Sequence, residues 1–486
     1  MAFSSLRSGI AVVSQIALGL SLVAVAVEDD HHARSSPTPS LVAESGAEPL
    51  PVTVVTKRPG TAPGYLFVDP QNVVDTAPAH GPEILDDSGR VVWFRNLPPG
   101  ADGSPTFAAD FRVQTYQGRP VLTWWEGTSD NAGRGTGVGY IADQHYNIIA
   151  TVKPPQGLDL HEFRLTPQGT VLALLTPQVE TADLRPIGGP ADAKVTDNTV
   201  AEIDVATGKV LYTWDALQHL SVTETDVPPG PVMDLFHINA VSLDTDGNLL
   251  VSARSTSTLY KVNRKTGEVI WRLGGRHSDF RLGLGARFAF QHDAVSDGAG
   301  VYRMFDNEAR GGLVGYESRA LWLKINPRNH TASFVREQTY PPQLISVESE
   351  GSTQSLPNGG TLVGYGARSQ VTEYDRHGRV VLDMRLPDED STYRAYRQQW
   401  HGQPSTPPEV TVSGGTATVE WNGATDVARW RLLGGATQTT LRPIAETRWD
   451  GWRTDMAVGS PAYVKAEALD AAGRVIGSSL VTATGK

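Results

Sequence analysis

Residues 236–254 read FHINAVSLDTDGNLLVSAR, and this stretch predicts a β-hairpin. Apolar and small residues fill the first arm, Asp-Thr-Asp-Gly supplies the turn, and the second arm is rich in β-prone residues. Antiparallel pairing across the turn places His237 opposite Arg254, with their side chains within reach of each other. We expect Asn239 on the same face as His237, because side chains alternate along a strand.

The hairpin therefore presents an imidazole, a guanidinium and a carboxamide, a set that suits an oxyanion better than an apolar core. A guanidinium fork donates hydrogen bonds in pairs, which is the geometry that sulfate and phosphate groups accept. One hairpin alone is equally compatible with a structural or surface role. Recurrence of the pattern along the chain is what favours a binding site.

Two kinds of hairpin recur. Outer hairpins with a polar turn begin at Ile84, Ile141, Ile203, Val262, Ile325 and Tyr374. Inner strands that lead into a Gly-containing turn begin at Asp110, His161, His237, His292 and Ser352. The six outer hairpins predict an all-β, six-bladed β-propeller over residues 61–402. The first strand of every blade lines the central channel, so these inner-strand starts are expected to converge around one pocket.

The remaining segments predict smaller units. Residues 1–27 contain a mostly apolar run, typical of a signal peptide or an N-terminal anchor. Residues 28–60, rich in Ser, Pro, Ala and Glu, predict a disordered linker. Residues 409–486 predict a small β-sandwich of the immunoglobulin or fibronectin III type. We expect a secreted or cell-surface protein, whose N-terminus offers a means of membrane association.

Charge and cysteine content narrow the function. The 486 residues carry a formal charge of −11, which argues against a nucleic-acid partner. The chain has no cysteine, so disulfides, thiolate metal sites and a cysteine nucleophile are excluded.

Histidines at three matching strand starts, His161, His237 and His292, allow three interpretations. They can be polar caps on turns. They can form a three-histidine metal site, although Arg254 beside His237 disfavours it because a fixed cation repels a metal ion. Alternatively, one histidine attacks sulfur or phosphorus while the others and the arginine hold the oxygens of the transferring group. This last interpretation needs no cofactor.

A set of motifs resembles the bacterial arylsulfotransferase family over roughly residues 60–400. The stretches that carry the resemblance are 160–166, 236–254, 261–274, 290–293, 305–307 and 354–359. The chain resembles a divergent secreted branch, because it lacks the cysteines for a disulfide found in some relatives and adds the C-terminal sandwich.

The resemblance implies transfer of a sulfuryl group from an aryl sulfate ester to a phenol, without a nucleotide sulfate donor or any other cofactor. It implies that His292 is transiently sulfated, while His161, His237 and Arg254 hold the sulfuryl oxygens and help the phenolate leave. Further substrate-binding residues implied in the same way are Asn239 and Asn307.

Two other functions remain open from the sequence. Thr-Gly turns are also typical of quinoprotein propellers, which bind a quinone cofactor. Those propellers would have a tryptophan at the end of more blades, whereas here such tryptophans occur only at Trp93 and Trp271. A non-catalytic secreted propeller that binds polysaccharide or protein is the second alternative, and it predicts that alanine at His292 changes nothing.

Overall fold

The computed structural model describes residues 48–71, 81–100, 103–130, 133–230, 232–308, 317–341, 343–387 and 390–485. The predicted signal peptide or anchor at 1–27 lies outside these residues. Within them, no helix is long and apolar enough to cross a bilayer.

The predicted linker at 28–60 needs a correction at its end. Residues 28–47 lie outside the described part of the chain, whereas Thr53–Lys57 form the first strand, β1. This strand pairs antiparallel with residues 380–385. The run Thr-Val-Val-Thr has high β propensity and adds an edge strand to an existing sheet. The segment is therefore ordered by pairing with a strand that is distant in the chain, which the polar composition of residues 28–60 does not indicate.

The regular structure of the described residues is almost all strand, and nearly all strand pairs are antiparallel, which confirms the prediction of an all-β chain. After β1 come β2 (Tyr65–Gln71), β3 (Glu83–Leu85), β4 (Val91–Phe94), β5 (Phe107–Tyr116), β6 (Arg119–Ser129), β7 (Gly135–Ala142), β8 (Ile148–Val152), β9 (Leu158–Leu165), β10 (Thr170–Leu175), β11 (Gln178–Ala182), β12 (Ala193–Asp197), β13 (Thr199–Asp204), β14 (Val210–Asp215), β15 (Val232–Asp234), β16 (Ile238–Leu243), β17 (Leu249–Ala253), β18 (Thr258–Val262) and β19 (Val269–Gly274).

The later strands are β20 (Arg281–Leu282), β21 (His292–Gly298), β22 (Val301–Asp306), β23 (Arg319–Asn326), β24 (Thr331–Gln338), β25 (Ser352–Ser355), β26 (Thr361–Gly364), β27 (Gln370–Tyr374), β28 (Val380–Arg385), β29 (Ser391–Gln398), β30 (Glu409–Ser413), β31 (Thr416–Glu420), β32 (Arg429–Gly435), β33 (Arg442–Arg448), β34 (Arg453–Ala457), β35 (Tyr463–Leu469), β36 (Val475–Ser478) and β37 (Thr482–Ala483). The described helices are short: α1 (Ala216–His219) and three 3-10 turns at Arg185–Ile187, Val222–Glu224 and Gly366–Arg368.

Strands pair in sequential groups of four from β5 onward. The groups are β5–β8, then β9, β10, β13 and β14, then β16–β19, β21–β24 and β25–β28. The pairing of Gly137 on β7 with Leu158 on β9 joins the first two groups into one sheet. Strands β20 and β1 add an edge strand to the last two groups. A further group combines β2, β3 and β4 with β29, which pairs antiparallel with β2. The region between residues 65 and 398 is therefore closed by pairing of its first and last strands.

The first and last outer turns share one chemistry that explains why their sequences are alike. Asp86 Oδ1 accepts hydrogen bonds from the N–H groups of Ser88 and Arg90, and Asp375 Oδ1 does the same for the N–H groups two and four residues further on. The glycine three residues after each aspartate has a φ of 73° and 76°, respectively. An aspartate that accepts from turn amides and a glycine in the left-handed region together specify these two hairpins.

Large apolar side chains fill the space between neighbouring groups of strands. Trp93 on β4 stacks on Tyr146 with ring centroids 5.2 Å apart, and Phe111 on β5 lies 5.5 Å from Trp93. All three rings are buried, and burial of each aromatic contributes about 1.5–3 kcal/mol. This packing joins β4 to the inner strand β5.

The C-terminal strands form two further sheets. One has the order β30, β31, β34, and the other has the order β33, β32, β35, β36, with β37 also paired to β35. Trp421 and Trp430 pack between them with ring centroids 6.2 Å apart. Backbone hydrogen bonds of 2.8 Å from Trp452 N to Val91 O and from Gly423 N to Val92 O join this region to β4.

Candidate active site

A cavity of about 830 Å³ lies where several inner strands begin. His161 lies within β9, His237 immediately precedes β16, and His292 is the first residue of β21. These three histidines and Arg254, which follows β17, all line the cavity. The structure therefore brings together the four residues that the sequence singled out for catalysis.

Asp110 and Ser352, which the same spacing placed on the rim, are not among the described residues that line this cavity. Asp110 is completely buried and forms an ion pair with Arg394. Ser352 is also buried, and its Oγ donates to the carbonyl oxygen of Ala395 at 3.2 Å. The sequence spacing predicted their strands correctly, but their side chains contact other strands and do not line the cavity.

Two of the three histidines are held by carboxylates. Asp159 Oδ1 accepts a short hydrogen bond from His161 Nδ1, and Asp234 Oδ2 lies 2.9 Å from His237 Nδ1. The two imidazole rings meet edge to face with centroids 4.9 Å apart. A carboxylate at Nδ1 fixes the ring orientation and stabilises an imidazolium when one forms.

Sequence analysis did not identify these two carboxylates as part of the site. A signal was present, because Asp159 and Asp234 precede their histidines by two and three residues in the chain. His237 has a φ of 47°, so the backbone folds back there, and Asp234 Oδ1 also accepts from its N–H. Such a left-handed conformation costs of order 1–2 kcal/mol in a residue other than glycine.

His292 has a neutral partner. Its Nδ1 lies 2.8 Å from Asn307 Oδ1, while Asn307 Nδ2 donates to the carbonyl oxygens of Val347 and Glu350. Because both carbonyl contacts identify this Asn307 atom as the amide nitrogen, the atom that faces His292 is the amide oxygen, Oδ1. Asn307 Oδ1 therefore accepts a hydrogen bond from the Nδ1 proton of His292. His292 Nε2 therefore carries the lone pair, and it accepts the backbone N–H of Glu350 at 3.2 Å.

The electrostatic environment keeps His292 neutral. Burial lowers the pKa of His292 well below 6.5, and the positive charge of Arg254 lowers it further. Burial also lowers the pKa of His237, with Asp234 acting in the opposite direction. At neutral pH His292 is consequently an uncharged imidazole beside a cation, which is the state that a nucleophilic nitrogen requires.

Arg254 is a cation without a carboxylate partner within ion-pair distance among the described residues. Its Nη2 donates to the carbonyl oxygen of Glu348 at 3.1 Å, and its guanidinium lies 5.0 Å from the centroid of the Phe290 ring. Its Nε is buried and has no hydrogen-bond partner in this part of the chain. Burial lowers the pKa of Arg254, yet a guanidinium remains charged near neutrality. Arg254 is thus poised to pair with an anion.

Asn239 and Asn307, predicted to bind substrate, are both completely buried and do not line the cavity among the described residues. Asn239 Nδ2 instead donates to the carbonyl oxygen of Gln291, directly before His292. The expected alternation from His237 to Asn239 fails because the register of β16 shifts between residues 238 and 240. Both asparagines support the histidines from behind, so the substrate-contact prediction is revised.

Charged groups support the cavity floor from the inner strands. Arg394 on β29 is fully buried, and its Nη2 donates to the carbonyl oxygens of His161 and Asn239 at 3.0 and 2.9 Å. It also pairs with Asp110 at 2.8 Å and with Glu162 at 3.3 Å. No sequence spacing connects these residues, because β29 reaches β5 and β9 only through closure of the sheets.

Apolar and aromatic side chains also line the cavity. It includes Phe107, Leu160, Val227, Met233 and Tyr393. A cavity that combines a guanidinium with apolar side chains suits a ligand that joins an aromatic ring to a charged group. Among the described residues, no group of three or more His, Cys, Asp or Glu side chains is arranged to hold a metal ion.

A comparison with protein families finds one model, described as arylsulfotransferase (ASST), that matches residues 112–386. That match covers more than half of the chain and includes all four residues assigned to catalysis. No curated protein matches the chain significantly.

Several solved structures are similar at low identity. A protein of unknown function from Bacteroides caccae is 13% identical with a TM-score of 0.40, covering 69% of this chain and 98% of that one. A Lactobacillus plantarum protein is 12% identical with a TM-score of 0.37, covering 81% and 99%. Virginiamycin B lyase from Staphylococcus aureus is 9% identical with a TM-score of 0.31, covering 76% and 96%. Similarity at this level says nothing about function.

Proposed function

The chain belongs to the arylsulfotransferase family, and from this premise we propose that it moves a sulfuryl group from an aryl sulfate to a phenol through a transient sulfohistidine at His292. Family membership supports sulfotransferase activity with small aryl sulfate and phenol substrates. The choice of His292 as the nucleophile, and the independence from nucleotide donors, are the finer parts of the proposal.

One observation carries the assignment of the nucleophile: the histidines differ in what holds Nδ1. Asp159 and Asp234 can stabilise positive charge on His161 and His237, whereas Asn307 offers His292 only a neutral acceptor. His292 thus stays neutral with its Nε2 lone pair in the cavity. A carboxylate at Nδ1 stabilises the imidazolium that His161 and His237 must form before Nε2 can donate to the oxygens of an anionic group.

In the first half-reaction, Nε2 of His292 attacks the sulfur atom of the aryl sulfate. The bond from sulfur to the aryl oxygen breaks, and its electron pair leaves on the phenolate. Charge on the transferring group resides on its three peripheral oxygens, which Arg254, His161 and His237 are placed to hold. The Glu350 N–H that Nε2 releases on attack becomes free to donate to one of those oxygens.

In the second half-reaction, the oxygen of an acceptor phenol attacks the same sulfur atom. The nitrogen–sulfur bond breaks and its electron pair returns to Nε2 of His292. Splitting one displacement into two lets donor and acceptor use the same apolar side chains in turn.

The architecture within this proposal is a six-bladed β-propeller at residues 61–402 and an immunoglobulin or fibronectin III-like sandwich at 409–486. Support comes from the sequential four-strand groups, from the pairing of β2 with β29, and from the two C-terminal sheets. In a closed propeller, the inner strands β9, β16 and β21 share one central channel, which accounts for the meeting of their histidines.

The test measures nitrophenol release from 4-nitrophenyl sulfate by the wild type and by His292→Ala, with and without added phenol. We expect a burst without phenol, sustained turnover with phenol, and a loss of roughly 10⁴-fold or more in the variant. His377→Ala, which removes an exposed histidine in an outer turn, serves as the matched control.

Mass spectrometry of the wild type after the burst should place one added SO₃ group on His292. Sustained release without phenol would indicate hydrolysis instead of transfer. Full activity of His292→Ala would refute the proposed nucleophile.

A further inference from the structure

The segment from Val347 to Gly351 encloses the nucleophile with its backbone. The carbonyl oxygen of Glu348 accepts from Arg254, the N–H of Glu350 donates to His292 Nε2, and the carbonyl oxygen of Glu350 accepts from Asn307. Glu350 has a φ of 64°, a conformation that costs a residue other than glycine of order 1–2 kcal/mol. This strained turn brings the Glu350 side chain to the same cavity as the three histidines.

The Glu350 carboxyl has no role in the mechanism described so far. Its Oε2 is buried and has no hydrogen-bond partner within the described residues. The groups that influence it are the hydroxyl of Ser391, the ring of His161 and the carboxylate of Glu348. Burying a carboxyl oxygen without a hydrogen-bond partner destabilises the folded protein. Its position beside the reacting centre therefore indicates a role in the reaction.

The Glu350 carboxyl can both give and take a proton near neutral pH. Burial raises the pKa of Glu350 to about 7, and the nearby Glu348 adds to the rise, while Ser391 and His161 oppose it. A group with a pKa near the working pH is the most effective general acid and base, because both of its forms are populated.

We propose that Glu350 exchanges the proton of the phenolic oxygen in both half-reactions. This inference rests on the proposed sulfotransfer at His292. That proposal assigns His161 and His237 to the sulfuryl oxygens, and their Nδ1 atoms already bind Asp159 and Asp234.

The proton balance closes over one cycle. As the sulfur–oxygen bond of the donor breaks, protonated Glu350 gives its proton to the departing aryl oxygen and becomes a carboxylate. The acceptor phenol then gives its proton to that carboxylate while its oxygen bonds to sulfur and the electron pair returns to His292. Glu350 ends protonated, ready for the next donor.

This role defines a substrate class: phenols of ordinary acidity, with a pKa of about 10, which leave and attack poorly without proton transfer. A nitrophenolate leaves readily without protonation, so donors with that group bypass the first function of Glu350. The two kinds of donor therefore separate proton transfer from attack by His292.

The experiment compares wild type, Glu350→Gln and Glu268→Gln, the last an exposed glutamate in the turn between β18 and β19. Each protein receives 4-nitrophenyl sulfate without acceptor, the same donor with phenol, and phenyl sulfate as donor. We expect Glu350→Gln to keep the nitrophenol burst within a factor of about three and to lose roughly 10²- to 10³-fold in turnover with phenol.

Raising the pH toward the pKa of phenol should restore much of the lost turnover in Glu350→Gln, since a phenolate acceptor brings no proton. A merely structural role would not produce this recovery. Phenyl sulfate should be a poor donor for this variant at every pH, because protonation of the leaving group is lost.

The outcomes separate the two proposals. Absence of a burst in the wild type refutes the sulfohistidine itself. A wild-type burst that disappears in Glu350→Gln shows that Glu350 positions His292 and overturns its proton-transfer role. Equal turnover of Glu350→Gln and wild type with phenol overturns it as well.

Discussion

The cavity region and the C-terminal sheets are both built from antiparallel strands, but they bury different side chains. Beneath the cavity, buried charged groups include Asp110, Arg112, Asp159, Glu162, Asp293 and Arg394. The C-terminal sheets bury mainly apolar groups such as Trp430, Leu432 and Val464, and their buried polar side chains are Thr454, Asp470 and Ser479 among the described residues.

This difference shows where the fold serves chemistry and where it serves stability. A buried charge costs several kcal/mol unless partners compensate for lost water, so an apolar core is the simpler way to stabilise a sheet. In the cavity region this cost is offset in part by Arg394, which donates hydrogen bonds to the carbonyl oxygens of His161 and Asn239 and so links their strands. Function therefore depends on the polar region, and variants in the two regions should have different effects.

Among the variants that compare the two regions, the largest effect should follow from Arg254→Gln, which removes the unpaired cation of the cavity. We expect kcat/KM for 4-nitrophenyl sulfate to fall by roughly 10²- to 10³-fold, because one strong donor to the sulfuryl oxygens is lost. Arg328→Gln, in an exposed turn, is the control and should retain wild-type activity.

The same variant should shift the pH profile. The active form of His292 is neutral, and its pKa is held well below 6.5 by burial and by Arg254. Loss of that positive charge lets the pKa rise toward 6.5, so activity should begin to fall at a higher pH on the acid side than in the wild type. An acid limb that stays in place would show that Arg254 does not control the protonation of His292.

A smaller effect should follow from Asp234→Asn, which leaves His237 without its carboxylate. Loss of a group that orients a reacting residue typically costs about 10- to 100-fold. Steady-state turnover with phenol measures the effect, and Asp246→Asn, at the exposed turn of the same hairpin, provides the comparison. Equal loss in both variants would mean that the hairpin as a whole, and not the pairing with His237, was disturbed.

The smallest effect on catalysis should come from Trp430→Ala between the C-terminal sheets. Removing this buried ring should lower the free energy of unfolding by about 3–5 kcal/mol, measured by denaturant titration. Under conditions where the variant stays folded, its burst amplitude and rate should match the wild type. A reduced burst in folded protein would contradict the division between a catalytic region and a stabilising region, because it would show that the C-terminal sheets help to shape the cavity.

Much of the fold could be predicted because its signals are local. Asp and Gly at fixed offsets specify outer turns such as the one at Asp86 through side-chain hydrogen bonds and positive φ, and alternating apolar residues specify the strands between turns. The edge strand Thr53–Lys57 was missed, since its partner lies more than 300 residues away in the chain.

The sequence by itself determined the repeated hairpins, the three histidines and Arg254, because each depends on residue type and short spacing. Only the tertiary structure decided which imidazoles pair with a carboxylate and which one faces an amide. Asn307 and Glu350 lie 15 and 58 residues from His292, and Arg394 lies 284 residues from Asp110. Such contacts arise when sheets close and bury polar groups that must then find partners in whatever strand is adjacent.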